Sequence, residues 1–513
     1  MDRNSYFNNL NQYEKLALLF SGLMLFGLLF LGHFHKMGTY GTETDFYWAY
    51  APDAQNILAG KAPEEPGVGP GYALVLAGLN LIIRDWFLTG KVISILSAVL
   101  CGFFTFKLVQ HLFDVKVAFF TMVLWHVTVL PFAILAGTDM FFACLLTSAL
   151  YSLFREPNIT NRNLIVSAAL MGYAYLTRHN AITFPICVAL ILLFLNPDSL
   201  NWTQRFVKAG IFAAVFVTVL LPWTLVLQFT SGSAARSDSY LIIASHFYGR
   251  PGVVSSEDMR LAAHQFNSLF SVVFYDFTYF VKHYLKNLYR HFYDILIHSL
   301  KFPAFLFVGA GAFTMLPSLT KRQLSFFVFP VFAFLLLCLV HYEPRYYLYI
   351  LSFLILLIAF FLFPKDSGHD KNAGLVLKYG RPFAYGVTVL FMLIFSLKEI
   401  TKHISGEPRE LLQISRQLRE NVHVIENELI IARKPHLGFL SNLKTTYFPE
   451  AKTVAELLKY AKKERADYLL YGEVELQRRP ELSILLYPEK LPGEFEPILV
   501  WKQPRTIVYK LRI

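Results

Sequence analysis

Eleven apolar segments separated by short polar connections occupy the first 397 residues of this 513-residue chain. A helix needs about 20 mostly apolar residues to cross the hydrocarbon core of a bilayer, and fewer where it enters a cavity. Segments of this length and number predict an all-α polytopic membrane domain. The predicted spans are 16–32, 88–109, 117–136, 139–154, 164–177, 181–195, 206–227, 302–317, 324–341, 346–363 and 383–397.

The composition excludes several other classes of protein. Only 16% of the residues are charged, whereas soluble domains carry about 25%, so a soluble enzyme and a disordered scaffold are both excluded. The net charge of +11 in a membrane protein indicates cytoplasmic loops and anionic headgroups, and no nucleic-acid partner is expected. The four cysteines all fall within apolar runs, so neither a disulfide framework nor a metal cluster is expected.

A step in charge density marks a domain boundary. Residues 398–513 contain 20 Lys/Arg and 16 Asp/Glu, although they form less than a quarter of the chain. Strand-like patterns at Glu428–Arg433, Asp467–Val474 and Ile507–Leu511 accompany a helical pattern at Val454–Arg465. The sequence therefore predicts a transmembrane domain over 1–397 and a small soluble α/β domain over 398–513.

The distribution of basic residues predicts the orientation. With the N-terminus in the cytoplasm, every short inside loop is basic: 107–116, 155–162, 205–208, 321–322 and 365–381. The short apolar stretch Pro70–Ile83 is predicted to be a juxtamembrane helix, because a full crossing there would invert every later loop. Eleven crossings of the inner (cell) membrane place the C-terminal domain on its extracytoplasmic side. The first loop, His33–Gly69, lies on the same side.

The large outer loop from Gln228 to Lys301 contains an amphipathic pattern. Lys282, Lys286 and Arg290 recur on one face of a predicted helix. The pattern predicts a helix that lies at the membrane interface. The alternative is that this helix also guides a lipid-linked substrate to the site. The apolar positions on its other face are Phe274, Phe277, Val281, Leu285, Leu288, Phe292 and Ile295.

Two acidic residues follow predicted spans on the outer side. Asp45 lies in the first loop before an amphipathic helix, and Asp139 begins a later span after Gly137-Thr138. Either carboxylate could simply cap the helix that follows it. Charged groups at the edge of a membrane are costly, however, and two of them on one side are candidates for function.

Two arginines reach the same predicted side. Arg178 lies in a tight outer turn between two short spans, and Arg345 lies at the outer start of another span. Each could be an interfacial anchor whose stem remains in the apolar layer. Two acids and two arginines at one depth, however, indicate a site for an anionic, lipid-linked substrate. These residues are Asp45, Asp139, Arg178 and Arg345.

The stretch Asp45–Pro63 (DFYWAYAPDAQNILAGKAP) resembles the first outer loop of the GT-C class of integral-membrane glycosyltransferases. The pattern is closest to protein O-mannosyltransferases and lipid A aminoarabinose transferases. It comprises Asp45, Tyr50, Ala54, Ile57-Leu58, Gly60 and Pro66 to Pro70, and it continues at Gly137-Thr138-Asp139, Leu176-Thr177-Arg178 and Arg345-Tyr346.

The resemblance implies a polyprenyl-phosphate sugar donor and an acceptor hydroxyl on a lipid, glycan or protein. Asp45 would be the general base, while Arg345, Arg178 and Lys61 would bind the donor phosphate. Relatives often have two adjacent acids, where this chain has Asp45-Phe46 preceded by Glu43. Asp139 and Glu43 are the second acidic site of this prediction, and a single displacement would invert the anomeric carbon.

We expect that the protein requires no cofactor. The alternative is a divalent cation held by Asp45 and Asp139, because some GT-C enzymes use one. His33-x-His35 could form a ligand pair, but solvated interfacial histidines are the prediction for the outer histidines. A lipid-linked-sugar flippase and a polysaccharide polymerase or O-antigen-ligase-like enzyme are the alternative functions. Transporters usually carry polar groups in mid-membrane and paired halves, whereas the charges here lie at span ends.

Overall fold

The computed structural model describes residues 11–63, 68–231, 239–249, 262–364, 375–422, 424–425, 428–477 and 479–513. The chain divides into two compact units, Met1–Gly32 with Asn56–Thr401, and His33–Gln55 with Lys402–Ile513. The first is called the membrane unit here and the second the C-terminal unit. The boundary in the chain lies four residues beyond the predicted one. The segment His33–Gln55, predicted to belong to the transmembrane domain, lies in the C-terminal unit.

The membrane unit is helical at each of the eleven predicted spans. Six helices in the described residues are long and apolar enough to cross a membrane, or seven if a bent pair counts as one span. The helices Thr138–Phe154 and His179–Leu195 are apolar but shorter. The fold is that of a polytopic integral membrane protein.

The helices of the membrane unit have the following bounds: Gln12–Phe34, Ala51–Leu58, Gly71–Ile83, Trp86–Leu112, Val115–Ala133, Thr138–Phe154, Asn161–Thr177, Thr183–Leu190, Trp202–Ser231, Ser239–Tyr248, Leu269–Tyr275, Phe277–Asp294, Ala304–Met315, Lys321–Leu337, Leu348–Leu362 and Leu375–Ser405. Two of these, Gln12–Phe34 and Ala51–Leu58, run across a boundary between the units, and the last extends a few residues past it.

Several of these helices begin at side-chain caps that the local sequence supplies. Asp85 accepts a hydrogen bond from the backbone N–H of Leu88, and Asp114 accepts from Lys116 and Val117. Such caps satisfy N–H groups that lack a partner in the first turn of a helix. The polar residues between the apolar runs therefore determine where these two helices begin.

The amphipathic pattern of the large outer loop forms the helix Phe277–Asp294. Lys282, Lys286 and Arg290 are exposed, as the pattern predicts. Phe277 and Leu285, on the predicted apolar face, are also more than half exposed. An apolar face without protein cover suits contact with lipid.

The C-terminal unit contains a mixed sheet of five strands: β1 Leu429–Ala432, β2 Lys444–Tyr447, β3 Tyr468–Gly472, β4 Phe495–Lys502 and β5 Arg505–Leu511. The strand order is β2-β1-β3-β5-β4. Strands β1, β2 and β3 pair in parallel, and β5 pairs antiparallel with β3 and β4. The predicted strands are β1, β3 and β5; β2 and β4 were not predicted. The unit also contains helices at Glu410–Gln417, His436–Leu440, Val454–Glu464 and Glu473–Leu476.

The sheet separates two apolar clusters. Alternate residues of β3 point to opposite faces, so Leu469 and Tyr471 pack in one cluster, while Tyr468 and Leu470 pack in the other. The second cluster also contains Met37, which comes from the segment His33–Gln55. The helix predicted at Val454–Arg465 is present as Val454–Glu464 and covers the first cluster.

Candidate active site

Asp139 lies in the first turn of the helix Thr138–Phe154. Gly137 occupies the N-cap position of this helix, so Asp139 is not its N-cap residue. The partial positive charge of a helix N-terminus nevertheless favours a carboxylate at this position. The side chain is 14% exposed, which leaves it accessible at one edge.

The two predicted arginines both reach Asp139. The Nη1 of Arg178 forms an ion pair with Asp139 Oδ1 and lies 3.5 Å from the Thr138 hydroxyl. The Nη1 of Arg345 lies 3.8 Å from Asp139 Oδ2. The arginine side chains are 20% and 15% exposed, respectively. The structure therefore brings together Asp139, Arg178 and Arg345 within the membrane unit.

Tyr346, known from the sequence only as part of the Arg345-Tyr346 motif, completes this group of side chains. The guanidinium carbon of Arg178 lies 4.8 Å from the centre of the Tyr346 ring, and that of Arg345 lies 5.4 Å from it. Cations at these distances are attracted to the electron-rich face of an aromatic ring. One carboxylate and one aromatic ring thus hold two like charges close together.

Close backbone packing determines where Arg178 lies. The helix Asn161–Thr177 ends immediately before Arg178, whose backbone is extended. A Cβ at Gly71 would lie 2.7 Å from the Thr177 hydroxyl, and one at Gly69 would lie 1.9 Å from the Leu176 carbonyl oxygen. Glycine at both positions lets the start of helix Gly71–Ile83, the predicted juxtamembrane helix, lie directly against the chain that leads to Arg178.

The C-terminal unit contains the other two acidic candidates, Asp45 and Glu43. Asp45 is exposed, and within the described residues its side chain does not cap the helix Phe46–Tyr50. Glu43 is fully buried. It lies 2.9 Å from the Nε2 of His35 and accepts a hydrogen bond from the backbone N–H of Thr39. The two acids therefore have different environments.

His35 corrects the prediction that the outer histidines are solvated. Its ring is fully buried, with Nδ1 2.8 Å from Glu407 and Nε2 beside Glu43. Burial opposes the positive charge, but the Glu43 and Glu407 carboxylates outweigh it and raise the pKa of His35 to about 9. His33, by contrast, is exposed. The two rings have different surroundings, which argues against a shared ligand pair.

Lys61 lies in the membrane unit and is exposed. It follows Gly60, whose φ of +71° places it in the left-handed region that favours glycine. The backbone N–H of Lys61 donates to the Asn56 carbonyl at the end of the preceding helix. Pro66, part of the predicted Pro-rich entry, lies outside the described residues.

Lys91 is a buried charged residue that was not among the predicted site residues. It is 6% exposed within the helix Trp86–Leu112, and its Nζ donates to the Gly32 carbonyl at 2.8 Å. An ionisable side chain in a membrane helix indicates a functional or a strongly constrained position. A lysine within the predicted span 88–109 was the signal that could have identified it.

Asp45 and Asp139 are the two residues that the sequence offers as ligands of a divalent cation. Among the described residues, no group of three His, Cys, Asp or Glu side chains has the arrangement needed to hold a metal ion. Both oxygens of Asp139 already face guanidinium groups. These positive charges would repel a cation at the same carboxylate.

Comparisons with known proteins agree with this architecture. Residues 65–224 match the family model described as dolichyl-phosphate-mannose-protein mannosyltransferase. The structure matches ArnT from Cupriavidus metallidurans bound to undecaprenyl phosphate, with a TM-score of 0.60, 14% identity and 97% of each chain covered. The fold is that of the GT-C class. The resemblance found in the sequence is thereby confirmed.

A second relative has the same fold. AglB, an oligosaccharyltransferase from Archaeoglobus fulgidus, was solved in complex with an inhibitory peptide and a dolichol-phosphate. It matches with a TM-score of 0.57 and 13% identity, covering 91% of this chain and 70% of that one. Another structure of this oligosaccharyltransferase, in complex with Zn and sulfate, matches with a TM-score of 0.59 and 12% identity, covering 96% of this chain and 73% of that one. A search of curated protein sequences finds no match.

Proposed function

We propose that this protein is a membrane glycosyltransferase that moves a sugar from a polyprenyl-phosphate donor to an acceptor hydroxyl. The observation that carries the proposal is the meeting of Arg178 and Arg345 at Asp139 in a GT-C fold. This group presents two guanidinium groups side by side, and planar guanidinium donors match the oxygens of a phosphate. Two structural relatives were solved with undecaprenyl phosphate and with a dolichol-phosphate, respectively, which supports a lipid-linked donor.

The arginines would stabilise the leaving group. A polyprenyl phosphate departs as an anion, so preorganised cations can lower the barrier without a strong general acid. Arginine suits this role because its planar group can donate two parallel hydrogen bonds to phosphate oxygens. Asp139 would orient both guanidinium groups, and Lys61 would supply a further positive charge for the donor.

Asp45 would act as the general base. The acceptor oxygen would attack the anomeric carbon while the bond from that carbon to the phosphate oxygen breaks, and the hydroxyl proton would pass to Asp45. Inversion follows from a single displacement. A double displacement needs a second carboxylate as nucleophile, and Glu43 is buried against His35, which makes it unsuited to that role.

The reaction would take place on the extracytoplasmic side of the membrane. This orientation rests on the basic residues of the short loops, which the positive-inside rule assigns to the cytoplasm. The GT-C fold favours a transferase over a flippase. The sugar and the acceptor are the two unknowns that an experiment has to identify.

The experiment uses isolated membranes and a panel of labelled undecaprenyl-phosphate sugars, with transfer to endogenous acceptors as the readout. Wild-type protein should transfer one of the sugars. Asp45→Asn should be expressed normally and lose about 10²-fold or more in transfer, the usual scale for losing a general base. Asp85→Asn is the matched control, because Asp85 is exposed and caps a helix, so it should retain activity. Full activity of folded Asp45→Asn would rule out this mechanism.

A further inference from the structure

The segment that carries Asp45 has its apolar anchor in the C-terminal unit. Met37 is fully buried in the cluster formed by Ile430, Leu470 and Val508 on one face of the sheet. The backbone carbonyl of Met37 also accepts a hydrogen bond from the hydroxyl of Tyr47, at 2.7 Å. The segment therefore contributes to the core of the C-terminal domain and is more than a linker between two helices.

Aromatic contacts hold the residues on the C-terminal side of Asp45. The ring of Tyr47 lies 4.5 Å from that of His436, and the ring of Trp48 stacks on Tyr447 at 4.2 Å. Aromatic pairs at these distances contribute about 0.5–1.5 kcal/mol beyond their buried area. Both partners come from residues beyond 402, so the C-terminal domain provides these contacts.

A buried charge network holds the residues on the N-terminal side of Asp45. The Oε1 of Glu407 lies 2.8 Å from His35 Nδ1 and accepts the backbone N–H of Lys36 at 2.6 Å. The other ring nitrogen of His35 lies beside Glu43. Glu407 also pairs with Arg409 at 2.8 Å. Charge-assisted hydrogen bonds are about twice as strong as neutral ones, so this network strongly fixes the start of the loop.

One contact reaches the residue next to Asp45. The Nζ of Lys434 donates to the hydroxyl of Thr44 at 3.0 Å. Thr44 in turn donates to the Tyr40 carbonyl at 2.7 Å. The backbone immediately before the proposed base is thus tied to the C-terminal domain by a side chain of that domain.

We infer that the C-terminal domain positions Asp45 for proton transfer, with Glu407, His35 and Lys434 as positioning residues. This inference rests on the proposed function, because it assigns Asp45 the role of general base. It gives the soluble domain a task in the reaction: it holds the loop that carries the base. Misplacement of a reacting group by about 1 Å can cost on the order of 10²-fold in rate, so a loosened loop should lower kcat.

The test compares two variants of the full-length protein, Glu407→Gln and Lys434→Met. Glu407→Gln removes the charge that faces His35 and Arg409. Lys434→Met removes the contact with Thr44 and leaves the buried network intact, so it remains informative if Glu407→Gln fails to fold. Lys462→Met is the matched control, because Lys462 is exposed on another helix of the same domain.

Two readouts separate positioning from general stability. Hydrogen exchange of residues 33–55 should become at least about tenfold faster in both variants, because fewer contacts hold the loop closed. The kcat for the labelled undecaprenyl-phosphate sugar should fall about tenfold, while KM for that donor changes less than about twofold. Lys434→Arg, which keeps a donor near Thr44, should restore most of kcat.

Distinct outcomes overturn the inference and the proposed function. Unchanged exchange of residues 33–55 would overturn the inference, as would wild-type kcat in a variant whose loop has become loose. If the wild-type protein transfers no sugar from the panel, the proposed function is overturned. In that case the exchange measurement still decides whether the C-terminal domain holds the loop.

Discussion

The guanidinium group of Arg345 lies 3.8 Å from the Asp139 carboxylate, although the two residues come from helices far apart in the chain. Arg178 reaches the other oxygen of the same carboxylate. Two cations so close would repel each other without a carboxylate between them. Asp139 therefore stabilises the approach of the two arginines to each other.

Arg345→Ala should weaken use of the lipid-linked donor by about 10–10²-fold in kcat/KM, because a hydrogen bond to a charged group contributes about 1.5–3 kcal/mol. Arg345→Lys should lose less, since it keeps the charge and loses only the paired donors. Steady-state transfer with varied donor concentration measures the effect. Arg162→Ala, a change at an exposed arginine, serves as the control. Normal transfer by alanine variants at both Arg345 and Arg178 would show that the phosphate site is misassigned.

Asp139→Asn should separate an orienting role from a metal-binding role. The amide cannot pair with two guanidinium groups, so kcat should fall about tenfold or more while the protein stays folded. Treatment of the wild-type protein with EDTA should leave transfer unchanged, because the carboxylate that would hold a cation already faces arginines. Loss of transfer with EDTA and its recovery with added divalent ions would instead assign Asp139 to a metal.

The orientation of the chain can be measured directly with reporters. A reporter that is active only in the periplasm should be active when fused after Ile513. The same reporter fused within residues 365–381, which are rich in basic residues and predicted to lie inside, should be silent. The opposite pair of results would place the C-terminal domain in the cytoplasm and would contradict the extracytoplasmic reaction.

The stability of the protein should fall at alkaline pH because of His35. Its pKa is raised from 6.5 to about 9 by Glu43 and Glu407, so the charged ring stabilises the folded state. This stabilisation, on the order of 3 kcal/mol, is complete below pH 6.5 and is lost as the pH rises through 9. Thermal unfolding in detergent between pH 6 and 10 should show the decrease.

A variant isolates the contribution of His35 from other groups that titrate in the same range. Glu43→Gln removes one carboxylate partner, so the pH dependence should shift toward lower pH and become smaller. Arg512→Gln, which breaks the exposed pair with Glu496 in the same domain, should keep the wild-type pH dependence. An identical profile for Glu43→Gln and the wild type would contradict the role assigned to the buried network.

The sequence predicted that Asp45, Asp139, Arg178 and Arg345 lie at one depth, because the order of the spans puts their ends on one side of the membrane. The structure brings the last three of these together. The sequence could not predict Tyr346 between the arginines, because the ring's contacts depend on packing between helices. The network around His35 was missed for a similar reason. Its partner Glu407 is hundreds of positions away, and local periodicity carries no information about such a pair.

The strands β2 and β4 were missed for local reasons. β2 is only four residues long and has the polar sequence Lys444–Tyr447, and β4 contains Pro497 with a register irregularity beside it. Proline cannot donate a hydrogen bond to a strand ladder, so it argues against a strand when only the sequence is read. Pairing with β5 overrides this preference, because β5 supplies a buried antiparallel partner along most of the length of β4.

The final prediction concerns two glycines of one helix, Gly71 and Gly78. A Cβ at Gly71 would lie 2.7 Å from the Thr177 hydroxyl and 2.9 Å from the Leu176 carbonyl carbon, whereas a Cβ at Gly78 would meet nothing within 4 Å. Gly71→Ala should therefore destabilise the protein by about 1–3 kcal/mol and displace Arg178, which follows Thr177. Transfer should fall more than the loss of folded protein accounts for.

Gly78→Ala is the matched control for the same chemical change. It should be neutral or stabilise the protein by up to about 1 kcal/mol, because alanine has a higher helix propensity than glycine. Thermal unfolding and transfer measured on both variants give the comparison. Equal behaviour of the two would mean that the approach of Gly71 to Thr177 does not determine the position of Arg178. Greater loss of transfer in Gly71→Ala would tie the start of this short helix to the donor site.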